Sequence, residues 1–173
     1  MNYPSDVFFD VDTLLNSVNA SHILLLGDVE TSFLDNYVEQ KKLLKQECHV
    51  THIKSKGLAT LEQHQSQFDV AIAINLFENI SKTQGKQILG KLRDVLSKQY
   101  CVCLPISQTS TAGKWQLNDL FSFALERVAK YQSLDKKIEY SLFKYNISTY
   151  KKTPNWLNPN NWANPKLWDK YRW

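Results

Sequence analysis

Between Met1 and Gln40 the chain has no lysine and no arginine, against seven acids: Asp6, Asp10, Asp12, Asp28, Glu30, Asp35 and Glu39. A secretory signal opens on basic residues ahead of its apolar stretch, so none is expected here. No apolar run approaches the ~18 residues that cross a bilayer, which removes a membrane from the expected partners. Cysteine is sparse and odd in number; Cys48, Cys101 and Cys103 all sit in apolar, strand-like runs. That usage points to a reduced, cytoplasmic protein without a disulfide framework. Glycine is missing where it would be most informative. The stretch "HILLLGDVETSF" (22–33) begins like a buried strand feeding a cofactor-holding turn, yet Gly27 is the one glycine in it.

What is present suits one α/β domain with a short attachment. The chain has 173 residues, 43% of them apolar and 22% charged, ordinary values for a globular protein. Its net charge of +4 is unevenly placed. Residues 151–173 hold Lys151, Lys152, Lys166, Lys170 and Arg172 against Asp169, so the whole excess lies there. The same segment carries four of the five tryptophans. Residues 1–150 are therefore read as a neutral domain, with an N-terminal helix inside 1–20, and residues 151–173 as a separate Trp- and Pro-rich basic arm.

Periodicity sets the elements. Val7, Val11, Leu14, Leu15 and Val18 form a helical stripe over 6–19, with Ser5 as the expected cap. "HILLL" (22–26), "HVTHI" (49–53), "DVAIAIN" (69–75) and "YCVCLPI" (100–106) read as strands. Residues 29–45 read as a helix capped by Asp28, with Leu34, Tyr37, Val38 and Leu44 near helical spacing. Residues 58–67 form a short helix. Residues 81–98 form a longer one, with Ile88, Leu89, Leu92, Val95 and Leu96 on one side. A helix is expected over 117–129. The strand 138–150 pairs with "AKYQSL" as an antiparallel hairpin. Strands alternating with helices give a three-layer, mostly parallel sheet, with ligands outside the carboxyl ends of the strands. The candidate positions there are Gly27–Asp28, Lys54, Asn75–Glu78 and Pro105–Gln108.

At these residues the chain resembles the class I S-adenosylmethionine-dependent methyltransferases, a Rossmann-like family. Residues 68–105 are similar in pattern to that family's fourth strand, next helix and fifth strand: Phe68 and Asp69 open the run, Asn75 ends the first strand, and Leu104-Pro105 closes it. "ILLLG" (23–27) resembles its first strand, and the terminal hairpin fits. The chain is also similar to small bacterial proteins of this type that end in a Trp- and Pro-rich tail. The resemblance implies a cofactor over Gly27 and Asp28, with Lys54 and Asn75 at its rim, and Asn75 and Glu78 facing a methyl acceptor.

Three departures set this chain apart. The family follows its first strand with Gly-x-Gly-x-Gly, which lets the backbone approach the cofactor. Here Val29 and Thr31 hold the second and third glycine positions, and a β-branched valine resists positive φ. The family's second strand ends in an acid that binds ribose hydroxyls. Lys54 stands there instead, and an ammonium accepts no hydrogen bond. Between 49–53 and 69–75 there is room for one crossover helix only, so the family's third strand is expected to be missing. Asp28 and Glu30 also fill a helix start that would otherwise attract phosphate.

The leading expectation is a catalytically degenerate methyltransferase-like pseudoenzyme acting as a binding or interaction module, with no cofactor. The first alternative is an active S-adenosylmethionine-dependent methyltransferase using the residues above. A metal site is not expected, because His49 and His52 are three apart on a strand and point to opposite faces. Cys101 and Cys103 share one face of an apolar strand and read as buried thiols. In the arm, Asn158-Pro159 and Asn164-Pro165 open two similar six-residue units. Trp156, Trp162, Trp168 and Trp173 are expected to anchor it on the domain, on a protein partner or on a second copy. Nucleic-acid binding by the arm is the second alternative, favoured less because five basic groups make a thin electrostatic footprint.

Overall fold

The continuous apolar runs form the middle of one sheet. In a computed structural model, residues 3–64, 67–107, 113–133 and 138–149 are described, with Asn164, Leu167 and Lys170. The strands are β1 (His22–Leu26), β2 (His49–Ile53), β3 (Phe68–Ile74), β4 (Ser97–Pro105), β5 (Glu126–Gln132) and β6 (Glu139–Asn146). Their order is β2-β1-β3-β4-β6-β5. The first four are parallel; β6 runs antiparallel to β4, and β5 antiparallel to β6. The expected mixed α/β sheet with its terminal hairpin is therefore present. β2 is an edge among the described residues, and no strand lies between it and β3 in the chain.

Side chains alternate across the sheet, so each strand feeds two cores. On one face, Ile23, Leu25, Val70, Ile72, Ile74, Cys101 and Cys103 meet α1 (Ser5–Val18) and α2 (Asp35–Leu43). Val7, Val11 and Leu15 of α1 are fully buried there, and each contributes about 1.5–3 kcal/mol of apolar transfer energy. On the other face, Leu24, Leu26, Ala71, Ala73, Tyr100 and Val102 meet α3 (Lys82–Lys91) and Trp115. Ser81 begins α3 with a reciprocal cap: its hydroxyl accepts from the Gln84 amide, and the Gln84 side chain reaches back to the Ser81 N–H. Gly85 makes room for the indole, since a Cβ there would lie 2.5 Å from a Trp115 ring carbon.

Several local expectations are corrected. Ser5 does not cap α1, because Pro4 occupies the cap position and no side chain bonds there. Residues 29–45 are split into a 3₁₀ turn (Thr31–Leu34) and α2, and Leu44 points into solvent. The short helix at 58–67 is a 3₁₀ segment over Ser55–Glu62. The helix at 81–98 gives way to a π-turn over Leu92–Leu96, which rotates Val95 outward while Leu92 and Leu96 stay buried. The helix at 117–129 stops after α4 (Leu117–Phe121); Ala124, at φ 61, turns the chain into β5. Val128 then bulges out of the ladder, between Arg127 opposite Phe143 and Ala129 opposite Leu142. The domain boundary after residue 150 and the anchors Trp156, Trp162, Trp168 and Trp173 lie outside the described residues.

Candidate functional site

The carboxyl ends of β1, β2 and β3 converge around Gly27. Its N–H donates to the Ile53 carbonyl of β2 at 3.0 Å. Its φ is +117°, and an added Cβ would stand 2.0 Å from the Ile74 carbonyl oxygen of β3. Gly27 is therefore glycine because the β3 main chain occupies the space beside it. The Gly27 carbonyl, in turn, lies 2.9 Å from His52 Nε2.

Asp28 crosses from β1 to the end of β3 and is held from both sides. Its N–H donates to the Asn75 carbonyl at 3.2 Å, and its own carbonyl accepts from Asn75 Nδ2 at 2.7 Å. The Asp28 carboxylate does not cap the following helix as expected. It accepts from the Ser55 N–H at 3.1 Å, the Ser55 hydroxyl at 2.5 Å and Asn79 Nδ2 at 3.1 Å. The Ser55 hydroxyl is the main reason this carboxyl titrates below its ordinary range. Asn75 sits at φ 54, a left-handed conformation that asparagine tolerates, and Asn79 Nδ2 also donates to its carbonyl at 2.9 Å. Val29 and Thr31 are not among the positive-φ residues, so the strained backbone falls on Gly27 and Asn75.

Two open depressions flank this bridge. One, of about 380 Å³, is lined by Asp28, Val29, Glu30, Thr31, His52 and Lys54. The other, of about 550 Å³, lies between the 28–33 turn and the N-terminal segment, with Tyr3, Phe8, Phe33 and Asn75 in its wall. The structure thus brings Gly27, Asp28 and Asn75 into direct contact and leaves Lys54 exposed on the near rim.

Glu78 joins that network through Tyr3. Its Oε1 accepts from the Tyr3 hydroxyl, while its Oε2 is buried without a hydrogen-bond partner. Burial raises the Glu78 carboxyl above its ordinary value, and the Tyr3 bond only partly opposes this. The Tyr3 hydroxyl also accepts from the Asn75 N–H at 3.2 Å, and its ring lies 4.5 Å from that of Tyr140. A third cavity, about 530 Å³, opens on the far side of Glu78 against Phe77, Ile106 and Trp115. Tyr3 and Ser55 are the participants that the sequence did not announce. Each acts across dozens of residues of chain, and no local pattern marks either.

Cys101 and Cys103 are buried on one face; desolvation pushes the Cys101 thiol up to about 12, and Cys103 shifts in the same direction. His22 and His49 stack at 5.5 Å on the sheet's amino end, away from His52. Among the described residues no group of three or more His, Cys, Asp or Glu is placed to hold a metal ion. Nor is any described helix long and apolar enough to cross a membrane.

Residues 6–173 match a protein family described as a family of unknown function, DUF6231. The chain belongs to that family. No curated protein matches this DUF6231 member. Among solved structures, it is similar to magnesium protoporphyrin IX methyltransferase (ChlM) from Synechocystis PCC 6803 with bound SAM. The TM-score is 0.52 at 8% identity, over 80% of this chain and 77% of that one. The same enzyme with bound SAH gives 0.49 at 7% identity, over 80% and 81% of the two chains. TehB from Haemophilus influenzae gives 0.46 at 7% identity, over 83% and 62%. At such identities the likeness is one of fold. The DUF6231 chain has a methyltransferase-like, Rossmann-like architecture.

Proposed function

We propose that this chain is a methyltransferase-like protein that does not seat S-adenosylmethionine in the position its fold makes available, and that it works as a binding or interaction module. One observation carries the reading: Asp28, over which the family resemblance would put the cofactor, is tied to Asn75, Ser55 and Asn79. Two further features support it. The turn at 28–31 has no glycine to let a ligand approach its backbone, and Lys54 offers a donor where a ribose hydroxyl needs an acceptor. Seating the cofactor would first require breaking several hydrogen bonds, at about 0.5–1.5 kcal/mol each and more for those to the carboxylate.

Isothermal calorimetry with S-adenosylmethionine and S-adenosylhomocysteine tests the reading. No heat is expected up to millimolar ligand. Micromolar binding of either compound refutes it.

A second reading, an active methyltransferase, draws on the two depressions beside Asp28 and Glu30, whose acids suit a cationic sulfonium. In that reading Asp28 releases Ser55 to admit the cofactor, and Asn75 and Glu78 face the acceptor. Its mark in the same calorimetry is micromolar binding that Ser55→Ala strengthens by freeing the carboxylate.

A further inference from the structure

Tyr3 precedes α1 and belongs to no strand or helix. Even so, three polar groups from the sheet's carboxyl edge converge on its hydroxyl. The Glu78 carboxyl accepts from it, the Asn75 N–H donates to it at 3.2 Å, and the Cys103 carbonyl lies 3.4 Å away. The Tyr140 ring supports its ring at 4.5 Å, tilted by 41°. A segment that only needed an anchor would be served by an apolar side chain. Convergent polar groups with an aromatic wall, at the carboxyl ends of parallel strands, are instead the geometry of a ligand site. We infer that Tyr3 is an internal ligand: it fills a phenol-binding site made by Asn75, Glu78 and Tyr140, and the molecule this module takes is a phenolic small molecule that competes with it.

The chemistry selects the class. The occupant must accept from a backbone N–H and donate to a carboxyl through one atom, which a hydroxyl does. An amine or aniline nitrogen is a poor acceptor for the Asn75 N–H, and a carboxylate occupant would face the Glu78 carboxyl. Stacking on Tyr140 favours an aryl over an alkyl hydroxyl. Glu78 Oε2 has no partner, so the carboxyl keeps hydrogen-bonding capacity that Tyr3 does not use. There is also room for a molecule larger than a tyrosine side chain. Tyr3 borders the depression of about 550 Å³ beside Phe8 and Phe33, and Glu78 borders the cavity of about 530 Å³ beside Phe77 and Trp115.

This inference rests on the binding-module reading, and its test is independent of the cofactor. The full chain carrying Tyr3→Ala is titrated with p-cresol, toluene and p-toluidine, with melting temperature as the readout. Saturating p-cresol, at about tenfold its dissociation constant, is expected to raise the melting temperature of the variant by about 3–6 °C. Toluene and p-toluidine should leave it unchanged, and the wild type should need far more p-cresol for the same shift. Tyr3→Phe is the second variant, in case Tyr3→Ala does not fold. It keeps the ring and strips the hydroxyl, and p-cresol but not toluene should stabilise it. If p-cresol and toluene act alike on the variants, or if p-cresol shifts the wild type equally, Tyr3 is an apolar staple and the inference fails. Binding of S-adenosylmethionine by the wild type would overturn the preceding reading while leaving the p-cresol result standing.

Discussion

Replacing Gly27 with alanine tests whether this residue serves a cofactor or the sheet. A Cβ at position 27 would lie 2.0 Å from the Ile74 oxygen, 3.0 Å from the Ile74 carbonyl carbon and 3.1 Å from the Asn75 carbonyl carbon. All three are main-chain atoms of β3 and its end, held in the ladder with β1 and β4, so no flexible side chain can yield. Overpacking of this kind costs about 1–3 kcal/mol. The φ of +117° adds roughly 1–3 kcal/mol for any residue with a Cβ. Together these give roughly 2–6 kcal/mol, and at about 2–4 °C per kcal/mol for a chain of this size the melting temperature should fall by about 4–24 °C.

Gly57→Ala is the control. Its nearest neighbour would be an Ile53 methyl at 3.6 Å, ordinary contact distance, and its φ is not positive. Thermal unfolding followed by circular dichroism, repeated in urea, compares the three proteins. A Gly27→Ala variant that melts within about 2 °C of both wild type and Gly57→Ala would refute the claim that β3 crowds this position. If the predicted fall is seen, loss of any ligand in a Gly27 variant cannot be taken as evidence of cofactor contact, because the sheet itself has been disturbed.

The Glu78 carboxyl, held by burial above its ordinary value of about 4.5, releases its proton at higher pH in the native state than in the unfolded chain. Native stability should therefore fall as pH rises from about 4.5 toward the native value and level off beyond it. Glu78→Gln should flatten that slope in urea titrations, and an unchanged slope would remove Glu78 as its source. Asp28 has the opposite sign: the Ser55 hydroxyl lowers it, so its contribution is present above about 3.8 and is lost as pH falls through the native value. Of the three thiols, only Cys48 should react with Ellman's reagent in the native protein, since Cys101 and Cys103 are buried and raised in pKa. Rapid reaction of two or three thiols before unfolding would contradict the buried assignment.

The parts of the fold visible in the sequence were those decided by neighbours in the chain. β1, β2 and β3 show as short apolar or β-branched runs, and α1 as a stripe whose Val7, Val11 and Leu15 are all buried. The stretch 117–129 misled because "LNDLFSFALERVA" has apolar residues at helical spacing, while its second half is an edge strand with one face against the core. The turn between the two is made by Ala124 at φ 61, a conformation alanine gives no hint of. Asp28 looked like a cap because it precedes a helix, but two donors 27 residues further on took its carboxylate. Tyr3 and Glu78 lie 75 residues apart, and only the tertiary fold brings the N-terminal segment to the carboxyl end of β3, where Asn75 and Glu78 follow.

Two of the three departures from the methyltransferase pattern, the missing strand and the missing glycines, go with the engagement of Asp28 beside the connection after β2. The 3₁₀ segment Ser55–Glu62 follows Lys54 directly, and among the described residues no strand is built beyond β2. That short exit brings Ser55 alongside the β1 turn, where its N–H and hydroxyl both reach the Asp28 carboxylate. With its carboxylate engaged there and its main chain bonded to Asn75, the turn has little need of glycine. Val29 and Thr31 can hold their positions without positive φ, because the left-handed backbone is placed at Asn75 instead. Loss of the strand, loss of the glycines and occupation of Asp28 are therefore coupled. Under the proposed binding-module reading, glycine at positions 29 and 31 alone would loosen the turn and leave Ser55 and Asn79 on the carboxylate, and would not restore binding of a methyl donor.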